Sequence, residues 1–152
     1  MQTDPIMAEI ITAGAPLRNG GDRVSARVAL EAVWAKISAD PKPLHAMALA
    51  HTLADAQDDP AEELAWDIRA LEAAGKLTDA DVADSGPGQS IRAFMPSLHV
   101  NLAEDYFKLG DRARSQEHVD QARQFIDALA DDAYGQLIRR GLDRMTARLA
   151  QA

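Results

Sequence analysis

Four histidines, His45, His51, His99 and His118, are the side chains of this chain best suited to chemistry near neutral pH, as proton carriers or metal ligands. A helical zinc site needs two histidines one turn apart on the same face. His45 and His51 stand six residues apart and miss that spacing. His51 and Asp55 have it, but they supply one imidazole and one carboxylate, which a histidine satisfied inside the fold accounts for better. Asp55, Asp58 and Asp59 form an acidic cluster that helix capping explains better than weak cation binding, since the loop of an EF-hand is missing. Glu62, Glu63 and Asp67 gather carboxylates on one helix, where a solvent-facing side is expected for them. Ser85-Gly86-Pro87-Gly88-Gln89-Ser90 carries glycines but fits neither a P-loop nor a dinucleotide fingerprint, and no G-x-S-x-G occurs. With no cysteine, thiolate nucleophiles, disulfides and Cys-containing zinc sites are excluded. The residues therefore predict no catalytic apparatus, no metal and no cofactor.

The elements that must hold these side chains are helices. Of 152 residues 30 are alanine and only 7 aromatic, and alanine is the best helix former while strands favour aromatic and β-branched residues. At 47% hydrophobic and 26% charged, the chain is neither a disordered tail nor a membrane protein. Its net charge of −8 repels phosphate backbones, so nucleic acid is not an expected partner. The final helix is locally basic, with Arg139, Arg140, Arg144 and Arg148 against Asp143; complementing a helix C-terminus explains this better than a patch for an acidic partner. No run of eighteen apolar residues occurs, and Glu9 interrupts the first apolar stretch. No membrane partner and a cytoplasmic address are the expectations.

Punctuation divides the chain regularly. Asp4-Pro5 starts a first helix, which Pro16 is expected to fray or kink before the turn Asn19-Gly20-Gly21-Asp22. A second helix has Val24, Val28, Leu30, Val33, Trp34 and Ile37 on a broad apolar face and closes at Asp40-Pro41. The third runs from about Pro43 to Gln57. The fourth follows the start signal Asp58-Asp59-Pro60, carries Leu64, Ile68 and Leu71 and stops at Gly75. Residues 76–95 break the rhythm, with one helical turn expected at Thr78-Asp79-Ala80-Asp81. Pro96-Ser97 is expected to open a fifth helix ending at Gly110, with Leu98, Leu102, Tyr106 and Leu109 aligned. A sixth holds Val119, Ala122, Phe125 and Ile126. Asp131-Asp132 cap a seventh, with Tyr134, Leu137, Ile138, Leu142, Met145 and Leu149 inward.

The turns within successive helix pairs fall at Gly21, Asp58 and Gly110. The first interval, 37 residues, is near the period of about 34 of a helical hairpin, and the second, 52, is that period plus the irregular segment. The stretch from Met95 to Phe125 resembles a tetratricopeptide repeat (TPR). Leu102, Ala103 and Tyr106 stand at the family's leucine, small and aromatic positions, Gly110-Asp111 at its turn, and Ser115, Val119 and Ala122 down its second helix. His99 occupies the family's tryptophan position and Asp127 its final proline position. Ile10, Ala13, Gly14 and Leu17 before Gly21-Asp22, then Ala26, Leu30 and Val33, match more loosely, and residues 43–74 least.

The resemblance implies an all-α, right-handed superhelix of about three helix pairs (about 4–40, 43–75 and 96–129), an insertion at 76–95 and a capping helix at 131–150, in one domain. It also implies a non-enzymatic scaffold that binds a segment of another protein in a groove lined by His45, Leu49, Thr52, Asn101, Glu104 and Lys108. Val100 and Glu104 stand where TPR proteins that clamp a terminal carboxylate use Lys, Arg or Asn, so an internal peptide or helix is the expected ligand. A receptor for a small peptide or metabolite in the same groove is the alternative. Ile91, Arg92, Phe94 and Met95 of the insertion are expected to staple neighbouring pairs rather than fill the groove. An uncapped first helix would leave Ile6 and Ile10 near solvent and allow a homodimer.

Overall fold

Asp4, Asp22, Asp59, Asp111 and Asp132 each stand immediately before a helix, and each carboxylate accepts a backbone N–H that the first turn leaves unbonded. The computed structural model describes residues 4–83 and 90–151, and all regular structure among them is helical. The elements are α1 (Pro5–Asn19), α2 (Arg23–Ile37), α3 (Pro43–Asp55), α4 (Pro60–Ala74), the short α5 (Asp79–Ala83), α6 (Ile91–Lys108), α7 (Arg112–Gln124) and α8 (Ala133–Ala150), with a 3-10 turn at Ile126–Ala128. No described helix is long and apolar enough to cross a membrane.

One helix start differs from the sequence expectation, that of α6. α1 runs through Pro16 to Asn19, the turn the sequence marks. There Gly20 takes a left-handed φ of 77°, and Gly21 N–H bonds the Pro16 carbonyl at 2.8 Å. α6 starts at Ile91, five residues before Pro96, because Ser90 Oγ accepts the Ala93 N–H at 3.1 Å and caps the chain earlier. Pro96 then lies inside the helix, where only the Arg92 carbonyl loses its i+4 donor. Residues 91–95 of the expected insertion are thus helical. The Ser85-Gly86-Pro87-Gly88 stretch lies outside the described residues. The expected turn at Thr78 is α5, held by a reciprocal pair in which Asp81 Oδ2 accepts the Thr78 N–H and Thr78 Oγ1 the Asp81 N–H.

Packing divides the chain into two compact units, Met1–Leu77 and Thr78–Ala152. In the first, α1 pairs with α2 and α3 with α4, and α3 packs against both α1 and α2. Its core gathers Ile10, Leu30, Val33, Ile37, Leu49, Leu53 and Ala56, with Ile6, Met7 and Leu17 packed on it. Alanines Ala50, Ala54, Ala70 and Ala74, all buried, line α3 and α4. Trp34 meets Trp66 edge to face, centroids 5.0 Å apart, and the Arg69 guanidinium covers Trp66. In the second unit α6 pairs with α7 and α8 packs against both, around Val100, Ala103, Val119, Ala122, Leu142 and Met145.

The apolar faces are narrower than the sequence implied. On α2 the buried stripe is Ala26, Leu30, Val33 and Ile37, while Val24 and Val28 are exposed. At 100° per residue those two valines fall almost opposite Ala26 and Leu30, so one helix cannot bury both sets. Tyr134 and Leu137 of α8, expected inward, are likewise exposed, because Gly135, Gly141, Leu142 and Met145 define the packed side. Leu109, beside the left-handed Gly110, is also exposed. Ile10 is buried and Ile6 half-buried in the first core, so neither stands at the solvent as expected; the exposed aliphatic residue of α1 is Ile11.

Gly135 sits where the chain entering α8 doubles back. A Cβ there would overlap the Ala130 carbonyl oxygen and crowd Arg139 Nη1. Arg139 in turn donates to the carbonyls of Ala130 and Leu129, at 3.2 and 3.1 Å. Gly135→Ala is therefore expected to destabilise the protein by about 2 kcal/mol, overcoming the gain of about 1 kcal/mol that alanine otherwise brings to a helix. Urea unfolding at equilibrium measures it; a stabilised variant would show that α8 does not approach this carbonyl.

Candidate functional site

The six residues expected to line a groove divide between the two units, and the structure treats them differently. On α3, His45, Leu49 and Thr52 recur at i, i+4 and i+7 and so share a face, but that face is inward. His45 and Leu49 are buried, Leu49 completely, and Thr52 is half-buried, with its hydroxyl on the Ala48 carbonyl at 2.8 Å. The Thr52 methyl abuts Gly14 of α1, where the absence of a side chain lets the two helices approach.

His45 Nε2 lies 2.7 Å from Asp4 Oδ2, and Asp4 Oδ1 accepts the N–H groups of Ile6 and Met7. One carboxylate thus caps α1 and ties it to α3. The His45 hydrogen bond, helped by those N–H groups against partial burial, holds the Asp4 carboxyl below its usual range. His45 and Leu49 are structural and do not form an open wall, which corrects the expectation for this half of the groove.

On α6 the arrangement is different. Asn101, Glu104 and Lys108 recur at i, i+3 and i+7; the first two are half-buried and Lys108 is exposed. They form a polar strip along the accessible side of α6. His99, Leu102 and Ala103 go inward on the same helix. Asp105 is buried beside Leu98 and Leu102, a buried carboxylate that hydrophobic periodicity does not reveal. Asp67 of α4 is a second one. Expected on the solvent side with Glu62 and Glu63, it instead lies with Ala70 and Ala74, at i+3 and i+7, on the packed side.

The most distinctive local chemistry is the join between α6 and α7. His99 and Tyr106 stand seven residues apart on α6, and Phe125, at the C-terminal cap of α7, stands seven after His118. The helices run antiparallel, so the four rings interleave as Phe125–His99–His118–Tyr106. Successive centroids are 6.1, 5.2 and 5.5 Å apart, with ring planes within 24° of parallel. Arg92 covers the outer face of Phe125 and Arg114 reaches over Tyr106. Arg92 also donates to the Gln124 carbonyl at 3.3 Å. Arg92 thus links α6 to the end of α7, a contact within one helix pair and not the staple between neighbouring pairs expected of residues 91–95.

Inside the ladder His99 Nδ1 faces His118 Nδ1 at 3.0 Å, so one ring donates its proton and the other accepts it. Burial, and then the neighbouring His118, push His99 down to about 4. Burial lowers His118 as well, against the pull of the Glu117 carboxylate. Both imidazoles are therefore neutral at pH 7, and each spends Nδ1 on the other. Among the described residues no three His, Asp or Glu side chains converge on a point where a metal could sit. The i, i+7 repeats 99/106 and 118/125 were the sequence signal for this ladder, readable only with the antiparallel register in hand. Below it, Ser115 Oγ donates to the Ala103 carbonyl at 2.7 Å, in a position with no solvent exposure, which fixes that register.

An open recess of about 600 Å³ lies between α1 and α2, lined by Ala8, Thr12, Ala29, Ala32 and Val33, with the Lys36–Glu9 ion pair at 2.6 Å along it. Comparison of the chain with models of protein families, with curated proteins and with solved structures finds no match.

Proposed function

We propose that this protein is a non-catalytic interaction module of TPR-like build, a right-handed stack of helix hairpins that holds a segment of a partner protein along the accessible side of α6. The observation that carries the reading is the packing order within each unit. α3 rests on both members of the α1/α2 hairpin, and α8 rests on both members of the α6/α7 hairpin, the next-on-previous contact by which hairpin repeats bury faces that one pair alone leaves open. The strip of Asn101, Glu104 and Lys108 on α6 is the surface assigned to the partner. Its mixture of amide, carboxylate and ammonium suits a polar, internal stretch of chain.

The test is affinity capture from native lysate with the intact protein and with an Asn101→Ala, Glu104→Lys, Lys108→Glu variant. A stoichiometric partner protein that the variant retains at least about 10-fold less well, at unchanged thermal stability, is the expected result. A small molecule bound in place of any protein, found by native mass spectrometry, would replace this reading with that of a metabolite receptor.

A further inference from the structure

α8 carries a second surface that the hairpin stack does not use. Its packed side is set by Gly135, Leu142 and Met145, with Ile138 and Leu149 beside them. Along one flank of that side run the exposed Tyr134, Leu137, Arg144 and Arg148, in one line interrupted by the buried Gly141 that packs on Val100, with Arg140 adjoining. Tyr134 and Leu137 are 50% and 58% exposed, the largest apolar groups that α8 shows to solvent. Beside Tyr134 opens a cavity of about 270 Å³ of mixed lining, with Phe94 and Leu129 on one side and Asp132, the cap of α8, on the other. The line thus begins apolar, with a recess, and ends cationic.

The charges on this line are not accounted for by the fold. Arg112 bonds the carbonyls at the end of α8, Arg114 pairs with Asp111, Arg123 with Asp120 and Thr146, and Arg139 holds the carbonyls before α8. Arg140 and Arg144, both exposed, make no hydrogen bond or ion pair among the described residues. Complementing the helix dipole does not explain them either. That effect fades within the last turn, and Arg140 is the eighth of eighteen residues. Asp143, the one acid of α8, falls about 100° round the helix from Arg144 and lies at i+3 from Arg140, near enough to soften that charge although the two form no ion pair. Two guanidinium groups without a bonded partner among the described residues, beside two exposed apolar side chains on a chain of net charge −8, are complementary to one class of ligand.

We infer that this flank of α8 is a docking strip for an acidic segment of another protein. An apolar side chain of that segment seats beside Tyr134 and Leu137, and carboxylates one to three turns along pair with Arg140 and Arg144. Bidentate guanidinium–carboxylate pairing fixes orientation, and the apolar anchor supplies desolvated area. The strip is distinct from the polar line on α6, so the two surfaces can fail or succeed separately.

A random peptide library displayed on phage and selected on the intact protein tests this. The expected winners carry Asp or Glu three to seven residues from a Leu, Phe or Trp. Measured by fluorescence anisotropy, the best of them should lose at least about 10-fold in affinity against Arg140→Glu/Arg144→Glu and against Leu137→Asp. It should also weaken as salt rises, because exposed ion pairs are screened. The Asn101→Ala, Glu104→Lys, Lys108→Glu variant should bind it unchanged, which separates this strip from the surface on α6. All substituted strip residues are exposed, so circular dichroism and melting should match the parent protein. Neutral or basic winners, no winners, or acidic peptides indifferent to the charge reversal would overturn the inference. So would a dimer by sedimentation that Leu137→Asp dissolves, or nucleic acid retained through Arg140 and Arg144.

Discussion

Truncating Leu49 to alanine lowers the free energy of unfolding by about 2–5 kcal/mol, the range for a leucine removed from a closed core. Leu49 has no exposed surface and belongs to the cluster built from Ile10, Leu30, Val33, Ile37, Leu53 and Ala56. Three helices meet in that cluster, so the void left by three missing carbons has walls on every side and collapses little. The same substitution also decides the role of α3. A groove-lining leucine would cost affinity for a partner and leave stability nearly intact. A core leucine costs stability first. Chemical denaturation followed by tryptophan fluorescence gives the answer, and a change within 0.5 kcal/mol, ordinary for a surface site, would return Leu49 to the groove.

Acid weakens the α6/α7 hairpin in a window of its own. The folded protein keeps His99 neutral down to about pH 4, whereas in an unfolded chain it takes a proton near pH 6.5. Above pH 6.5 neither state binds that proton and the hairpin has its full stability. Between pH 6.5 and 4 the unfolded chain gains a proton that the folded one refuses, so stability falls as pH falls, by an amount approaching about 3 kcal/mol for His99 alone. His118, lowered in the same direction, adds to the loss.

The proton already shared between the two Nδ1 atoms sharpens the effect. The pair cannot become doubly charged without setting two N–H groups against each other at 3.0 Å. Asp4, Asp22 and Asp111, whose carboxyls are lowered by their hydrogen bonds, act in the same sense but below this window. Their contributions are present above about pH 4 and disappear only as the pH falls through the lowered values. Amide hydrogen exchange across α6 and α7 from pH 7 to 4.5 reads the hairpin locally. His99→Phe, which keeps a ring in the stack and takes no proton, should flatten the profile. Equal pH dependence in the variant would remove the histidine pair as its cause.

Much of the helical framework was legible because its signals are local. Asp4-Pro5, Asp22 and Asp59-Pro60 announce their helices through a side chain and the next two residues, and Gly20 and Gly110 mark the left-handed turns. The start of α6 was not, since Pro96-Ser97 imitates a start signal and the working cap, Ser90, adjoins a glycine-rich stretch. What faces inward was half legible. Val24 and Val28 read as core by type, but the packed side of α2 is set by what lies across from it, and Ala26 is small enough to fit there. The candidate site fared likewise. Residue types on α6 placed Asn101, Glu104 and Lys108 on one strip, yet nothing along α3 alone says that His45 meets Asp4, forty-one residues away. The ring ladder depends on the stagger between two helices, which no single-helix pattern encodes.

The pairing of Trp34 with Trp66 has an optical consequence. Both tryptophans of the chain lie in the first unit, while Tyr106 and Tyr134 lie in the second. Two identical indole chromophores held 5.0 Å apart at 84° are excitonically coupled and should give a bisignate band in circular dichroism, a signature that vanishes when either ring is replaced. Emission excited at the red edge therefore watches residues 1–77 alone, and amide circular dichroism watches both units, so a second transition seen only by the latter belongs to the rest. A single unlabelled sample thus carries one signal for the first half and one for the whole, and whether the two halves melt together can be read by heating it once.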